Sequence, residues 1–242
     1  MKILAIDSSG LVASVALIAD AECIAEYTIN YKKTHSQTLV PMLEEIKKMI
    51  DLDLGDIDAI AVAAGPGSFT GLRIGSATAK GLGQALKKPL ISVPTVDGLA
   101  YNLYGTEKII CPLMDARRNQ TYTGLYEFCR KEEKLELKVI EPQCAVLLDE
   151  IINKINERNR EVIFLGDGVP VFKKQIQEKV KVPFTFAPPC CNRQRAAAIG
   201  TLALEYMKQG KTEKASEHQP EYLRLSQAER ERKEEMAREH CN

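Results

Sequence analysis

The pattern of hydrophobic and polar positions predicts a mixed α/β protein. Apolar runs without helical period, at 2–6, 58–63 and 162–165, are typical of buried strands. Other segments repeat apolar residues every three or four positions, as on the buried face of a helix. The clearest is the helix predicted over 34–50, where Leu39 and Leu43 share a face.

The order of these elements repeats about one hundred residues along the chain. A strand that ends in Asp7 is followed by a polar turn and a second strand, and a strand that ends in Asp115 is followed by the same two elements. Duplicated halves predict two similar lobes that face each other. This is the α/β pattern of the actin-like fold (ASKHA, sugar kinase and Hsp70 type), in which phosphates lie between the two hairpins. We predict an N-terminal lobe at 1–105, a C-terminal lobe at 106–225 and a solvated charged tail at 226–242.

A glycine-rich stretch at 65–71 joins a buried strand to a helix predicted over 71–86. Its glycine spacing matches neither a P-loop nor a Rossmann fingerprint. Within the helix, Gly75, Ala79 and Gly83 recur every four positions. Glycine costs about 1 kcal/mol against alanine inside a helix, so close backbone approach is expected along this stripe. The stripe alone fits equally a helix pressed on its own sheet and a subunit interface.

Composition restricts the possible functions. The 242 residues carry 33 Lys and Arg against 33 Asp and Glu, so bulk charge gives no reason to expect nucleic-acid binding. No apolar run approaches the length of a membrane span or of a signal-peptide core, which predicts a cytoplasmic protein without membrane contact. The seven cysteines are scattered without a CxxC pair, and three histidines supply a metal site poorly.

Carboxylates that follow strands are the first candidates for chemistry. Asp7, with Ser8 and Ser9, and Asp115 could hold Mg²⁺ or orient a water beside a nucleotide. The alternative is turn formation, because Asp followed by Ser or Gly is common in turns. Recurrence at equivalent points in both halves favours a site for Asp7 and Asp115, whereas we interpret Asp167 as a turn residue.

Other polar residues support less specific hypotheses. His35 stands beside Ser36 without a suitable acid, so a catalytic Ser–His pair is not supported. Arg73 could reach an anion or a partner carboxylate, or lie exposed in solvent. The pair Arg117–Arg118 is compatible with anion or RNA contact but is not by itself a basic patch.

Five collinear motifs resemble one family across nearly the whole chain. They are Ile3–Ser9, His35-Ser36, Gly65-Pro66-Gly67-Ser68-Phe69-Thr70-Gly71-Leu72-Arg73, Asp115-Ala116-Arg117 and Tyr222-Leu223-Arg224. Together they resemble the TsaB family, formerly YeaZ, of tRNA threonylcarbamoyladenosine synthesis.

The resemblance implies a cytoplasmic subunit of the pathway that modifies adenosine 37 of tRNAs reading codons that start with A. In that pathway TsaD carries the metal and transfers the threonylcarbamoyl group, TsaB is its degenerate partner, and the ATPase TsaE joins the pair. The chain is then expected to be a homodimer when alone, to pair with TsaD, and to meet tRNA through the complex. No catalytic residue, metal or cofactor is expected, although weak ATP or ADP binding at Asp7, Ser8, Ser9 and Asp115 is compatible with the motif.

The same resemblance implies an interface on the first two helices of the N-terminal lobe. The residues expected there are His35, Leu39, Leu43, Gly71, Arg73, Gly75, Ala79 and Gly83. TsaD-like proteins hold metal with the pattern H-x-x-x-H, and here Leu39 stands where the second histidine would be. The alternatives are an ATPase or phosphotransferase that uses Asp7 and Asp115, and a metallopeptidase, for which the ligands are missing.

Overall fold

The computed structural model describes residues 1–20, 22–31, 33–132 and 134–224. The strands in this part of the chain are β1 (Lys2–Asp7), β2 (Ala13–Ala19), β3 (Glu22–Ile29), β4 (Ala59–Gly65), β5 (Leu90–Pro94), β6 (Ile109–Asp115), β7 (Gln120–Lys131), β8 (Lys134–Leu147), β9 (Val162–Leu165) and β10 (Phe184–Phe186). The α-helices are α1 (Leu39–Met49), α2 (Phe69–Leu86), α3 (Thr95–Tyr101), α4 (Leu148–Arg158), α5 (Val169–Lys179) and α6 (Ala196–Lys208). None of these helices is both long and apolar enough to cross a membrane.

The two halves of the chain build two sheets of the same topology. The first sheet has the order β3-β2-β1-β4-β5 and the second has the corresponding order β8-β7-β6-β9-β10. In each sheet the first strand pairs antiparallel with the hairpin strand that follows it and parallel with the strand on its other side. The duplication predicted from the sequence is confirmed, and the chain has an actin-like α/β fold.

Helices cover both faces of the first sheet because its central strands are apolar on both sides. On one face, Leu4 and Ile6 pack against buried residues of α1 and against Ala79 of α2. On the other face, Ile3 and Ala5 pack against α6. Helices α4 and α5 cover the second sheet, and α3 packs between the sheets.

The predicted boundary between the lobes needs one correction. The sequence interpretation assigned 106–225 to the C-terminal lobe, but α6 returns to the N-terminal lobe. Its residues Ile199 and Leu202 are buried on the first sheet, and Gly200 lies so close to Ile18 that an added Cβ would be 2.5 Å from its Cγ1. The apolar face of α6 therefore completes the first core rather than the second. The tail predicted at 226–242 lies outside the described residues.

The small-residue stripe of α2 faces its own sheet, which corrects the expectation of an interface there. A Cβ added at Gly75 would be 2.4 Å from Ser8 Oγ, and one added at Gly83 would be 2.4 Å from Leu90 Cδ1. Ala79 is completely buried in the same core. These three residues bring α2 close to strands of its own lobe, so they are not available to a partner.

The same correction applies to three further residues expected at the interface. Leu39 and Leu43 are buried in the core beneath α1. A Cβ added at Gly71 would lie 2.1 Å from the carbonyl oxygen of Ser8, so this glycine is required by contact within the chain. Arg73 is the one interface candidate on α2 that lies exposed.

Candidate functional site

A cleft of about 600 Å³ lies between the turn that follows β1 in the first lobe and the turn that follows β6 in the second. Both turns stand at the carboxyl ends of strands, where sites form in sheets with parallel strands. The residues that line the cleft from the first lobe are Ser9, Gly10, Leu11, Lys33, His35, Pro66, Gly67, Ser68, Phe69 and Thr70. The remaining lining residues are Met114, Asp115, Ala116, Arg117, Arg118, Tyr122, Asp167, Glu221, Tyr222, Leu223 and Arg224.

Asp7 is buried behind the first turn and does not line the cleft. Its Oδ1 accepts hydrogen bonds from the Ser9 backbone N–H at 2.9 Å and from the Ser9 hydroxyl at 2.6 Å. Burial raises the pKa of the Asp7 carboxyl to about 6, and the bonds from Ser9 offset only part of this effect. The carboxylate that the sequence placed beside a nucleotide is thus used inside the turn.

Ser8 is also occupied by the fold. Its hydroxyl donates to the carbonyl oxygen of Gly71 at 2.9 Å, near the start of α2. The next carbonyl, that of Ser9, accepts from the Ser68 N–H at 2.6 Å. The glycine-rich loop therefore packs directly on the first turn. Of the three first-lobe residues predicted to bind nucleotide, only Ser9 lines the cleft.

His35 lies at the cleft and not on the outer face of α1, where the interface was expected. It belongs to a short 3₁₀ turn at His35–Gln37 that precedes α1. The Nε2 atom donates to the carbonyl oxygen of Gly10 at 2.8 Å, and the buried Nδ1 has no hydrogen-bond partner among the described residues. His35 thus fixes the tip of the first turn from within the same lobe.

The second turn is held in a different way. The Asp115 carboxylate accepts from the Arg117 N–H at 2.8 Å, and the Asp115 N–H donates to Asp167 Oδ1 at 3.4 Å. Burial raises the pKa of the Asp167 carboxyl. Asp115 and Asp167 both face the cleft, whereas Asp7 does not. The two predicted aspartates, Asp7 and Asp115, are therefore not brought together on one surface.

The segment 221–224 lies across the cleft and joins the two lobes. On the first lobe, the Glu221 N–H donates to the carbonyl oxygen of Ala64 at 2.7 Å. Gly65 has φ +126°, and a Cβ there would be 2.2 Å from the Glu221 carbonyl oxygen, so only glycine fits this contact. On the second lobe, Gln143 Nε2 donates to Glu221 Oε2 at 2.9 Å, and the Arg224 guanidinium donates to the carbonyl oxygen of Ala116.

Aromatic stacking adds to this crossing. The rings of Phe69 and Tyr222 have centroids 4.5 Å apart, and the Arg73 guanidinium lies 4.1 Å from the Phe69 centroid. Arg73 Nε also donates to the Tyr222 hydroxyl at 3.3 Å. The glycine-rich motif and the Tyr222-Leu223-Arg224 motif, which are distant in sequence, therefore form one contact surface.

Sequence reasoning missed two parts of this site. Gln194 is buried against the first turn, and neither polar atom of its amide has a partner among the described residues. Nothing in the local pattern of 188–195 marked it. Sequence reasoning also missed that Glu221–Arg224 joins the two lobes across the cleft, although it found the Tyr222-Leu223-Arg224 motif. Among the described residues, no three His, Cys, Asp or Glu side chains are grouped so that they could hold a metal ion.

Comparisons with known proteins agree with the fold and with the motifs. Residues 22–232 match the family model described as TsaD: tRNA N6-adenosine threonylcarbamoyltransferase. The chain is 35% identical over 231 residues to the tRNA threonylcarbamoyladenosine biosynthesis protein TsaB of Bacillus subtilis, which covers 95% of this chain and 96% of that protein. It is 33% identical to the Escherichia coli protein of the same name, over 69% of this chain and 72% of that protein.

A solved structure titled YeaZ from Pseudomonas aeruginosa has the same fold. It superposes with a TM-score of 0.75 and 24% identity, over 92% of this chain and all of that one.

Proposed function

Since the chain belongs to the TsaB (YeaZ) family of tRNA threonylcarbamoyladenosine biosynthesis proteins, we propose that it is a non-catalytic subunit that pairs with TsaD. The pair transfers a threonylcarbamoyl group to adenosine 37 of tRNAs that read codons starting with A. TsaE is the expected third member, and the cytoplasm is the compartment where this tRNA chemistry would take place.

The observation that carries the non-catalytic role is the internal use of the groups at the first turn. The Asp7 carboxylate is bonded by Ser9, and the Ser8 hydroxyl is bonded to the carbonyl of Gly71. The carbonyl of Gly10 is bonded by His35. A group that reacts with a substrate must be presented to it, and here these groups maintain the turn. This supports a structural role for the motif rather than phosphate chemistry.

The outward faces of α1 and α2 are the surface that we assign to the TsaD contact. On α1, Val40 is 48% exposed, and Pro41 beside it is also exposed. On α2, Ala77 and Gly81 are exposed, and an added Cβ at Gly81 would meet no atom within 4 Å. Small residues allow a partner helix to approach closely, and exposed apolar side chains supply area to bury. The contact therefore uses this outer face and not the buried stripe.

Light scattering after size-exclusion chromatography tests the pairing. The chain alone is expected to be a homodimer, and to exchange into a heterodimer when TsaD of its own organism is added. Gly81→Leu places a bulky side chain on the outer face and should weaken both species. The matched control is Gln177→Leu on the exposed face of α5 in the other lobe. Unchanged heterodimer with Gly81→Leu would contradict the assigned surface, and absence of any complex would contradict the pairing.

Weak nucleotide binding in the cleft is a second proposal. Its volume of about 600 Å³ and the carboxylates of Asp115 and Asp167 favour a small polar ligand. Calorimetric titration with ADP and ATP tests it, and no heat at millimolar nucleotide would contradict it. An ATPase would in addition show Mg²⁺-dependent turnover lost on Asp115→Asn.

A further inference from the structure

Three cations at the cleft have no partner within the part of the chain that the structure describes. Arg117 and Arg118 stand on the turn after β6, and Lys33 belongs to the first lobe. All three are exposed, and none of their side chains makes a hydrogen bond or an ion pair with a described residue. Elsewhere the exposed cations Lys138 and Arg160 both bind Glu127. Three unpaired cations, from both lobes, therefore line one cleft.

The backbone beneath the two arginines is in an unusual conformation. Arg117, Arg118 and Asn119 have φ values of 65°, 55° and 58°, in the left-handed region. Glycine adopts this region with little strain, whereas an arginine does so at a cost. Strained positions of this kind cluster at binding sites, where the surrounding structure maintains them. Here the Asp115 carboxylate and Arg224 maintain the turn.

Aromatic faces lie beside these cations. Tyr222 is 38% exposed at the same cleft, next to Phe69. Each acidic side chain that lines the cleft already accepts a hydrogen bond: Asp115 Oδ1 from the Arg117 N–H, Asp167 Oδ1 from the Asp115 N–H, and Glu221 Oε2 from Gln143. Unpaired guanidinium and ammonium groups bind phosphate, and exposed rings stack on bases. The arrangement combines the two contacts that single-stranded RNA offers.

We propose that Lys33, Arg117 and Arg118 form a phosphate-binding surface that contacts tRNA directly, with Tyr222 available to an unstacked base. This inference rests on the proposed function, because it names the part of this subunit that meets the tRNA of that reaction. Since Lys and Arg balance Asp and Glu over the whole chain, the attraction is local to this surface. The cleft admits a phosphodiester with a base, whereas a folded acidic domain would not enter it.

The test is a titration of the preformed complex of this chain and TsaD with an unmodified tRNA transcript at several salt concentrations. Each phosphate contact contributes about 0.7–0.9 to the slope of log affinity against log salt. At 0.1 M salt, one such contact corresponds to a factor of about five to eight in affinity. The double variant Arg117→Gly, Arg118→Gly should lose affinity by about this factor for each contact and flatten the slope accordingly. Its thermal midpoint should not fall, because glycine suits the left-handed backbone.

Two further variants sharpen the test. Lys33→Ala should produce the same kind of loss from the opposite lobe. The matched control is Arg130→Ala, Lys131→Ala, which removes two exposed cations at the far end of β7 and should leave affinity and slope unchanged.

The outcomes separate this inference from the proposed function. Unchanged tRNA affinity and slope in the glycine double variant overturn the RNA contact while the pairing with TsaD stands. Weakened TsaD pairing with unchanged tRNA affinity makes the surface a protein contact and also overturns it. A wild-type chain that does not pair with TsaD contradicts the proposed function instead, and the same titration of the chain alone then decides the RNA contact.

Discussion

Replacing Asp7 by asparagine should change the pH dependence of stability, because the carboxyl is buried in the folded protein. The buried carboxyl has a pKa of about 6, against 3.8 for the ordinary side chain. Because the folded protein binds this proton more tightly than the unfolded chain, the contribution of this carboxyl to stability is greatest below about pH 4 and is lost as pH rises through about 6. At 1.36 kcal/mol for each pKa unit, the full loss is about 3 kcal/mol.

Asparagine retains the oxygen that accepts both Ser9 bonds and cannot ionise. The difference in free energy of unfolding between Asp7→Asn and wild type should therefore shift by about 2.5 kcal/mol in favour of the variant from pH 4 to pH 8. This shift is expected whether the variant is more or less stable than wild type at pH 4. Urea unfolding at the two pH values measures this difference. The control is Asp51→Asn, an exposed aspartate in a turn with positive φ that asparagine also tolerates. If the difference between Asp7→Asn and wild type is the same at both pH values, the reasoning about the buried carboxylate is refuted.

Three further outcomes are expected. Tyr126→Phe removes the 2.7 Å hydrogen bond to the Asp97 carboxyl, whose pKa is raised by burial. The free energy of unfolding should fall by about 1.5–3 kcal/mol at pH 8, and by less at pH 4, where the carboxyl is closer to neutral. Urea unfolding at both pH values measures the loss, and an equal loss at both would contradict the prediction. Tyr222→Ala removes the ring stacked on Phe69, worth about 0.5–1.5 kcal/mol, so amide exchange at Glu221 should accelerate about two- to tenfold, and unchanged exchange would show that the stack does not hold the segment. Arg118→Gly should raise the free energy of unfolding by about 1 kcal/mol because φ is 55°, and a loss of stability would count against strain at this turn.

The duplicated fold could be predicted because its signal is local. Each half begins with a strand, an aspartate and a hairpin, and these short patterns fix the first three strands of each sheet. The return of α6 to the first lobe could not be predicted in the same way. Its apolar face is visible in the sequence, but either sheet could have buried it.

The sequence also could not predict which face of α2 packs on the sheet. Gly75, Ala79 and Gly83 recur every four positions, but the small residues Ala77 and Gly81 on another face of the helix have the same spacing. Periodicity defines a stripe without saying which stripe meets the sheet. Contact with Ser8 Oγ and Leu90 decides it. The resemblance to the family led us to expect an interface along this stripe, and the structure buries the stripe against its own lobe.

The site was predicted less well than the fold because its contacts connect distant residues. Asp7 was placed after the correct strand, yet its bonds to Ser9 remove it from the cleft. His35 was grouped with α1, but the 3₁₀ turn directs it to the carbonyl of Gly10. The crossing of Glu221 to Ala64 joins residues that no local pattern relates.

Formation of threonylcarbamoyladenosine on a tRNA transcript tests the central claim most directly. Three reactions should be compared, all with TsaD, TsaE and L-threonylcarbamoyl adenylate. The first contains no further protein, the second contains this chain, and the third contains its Asp7→Asn variant. A non-catalytic partner predicts little product without this chain and equal product with wild type and Asp7→Asn. Full product without the chain, or loss of product with a folded Asp7→Asn variant that still pairs with TsaD, would contradict the account.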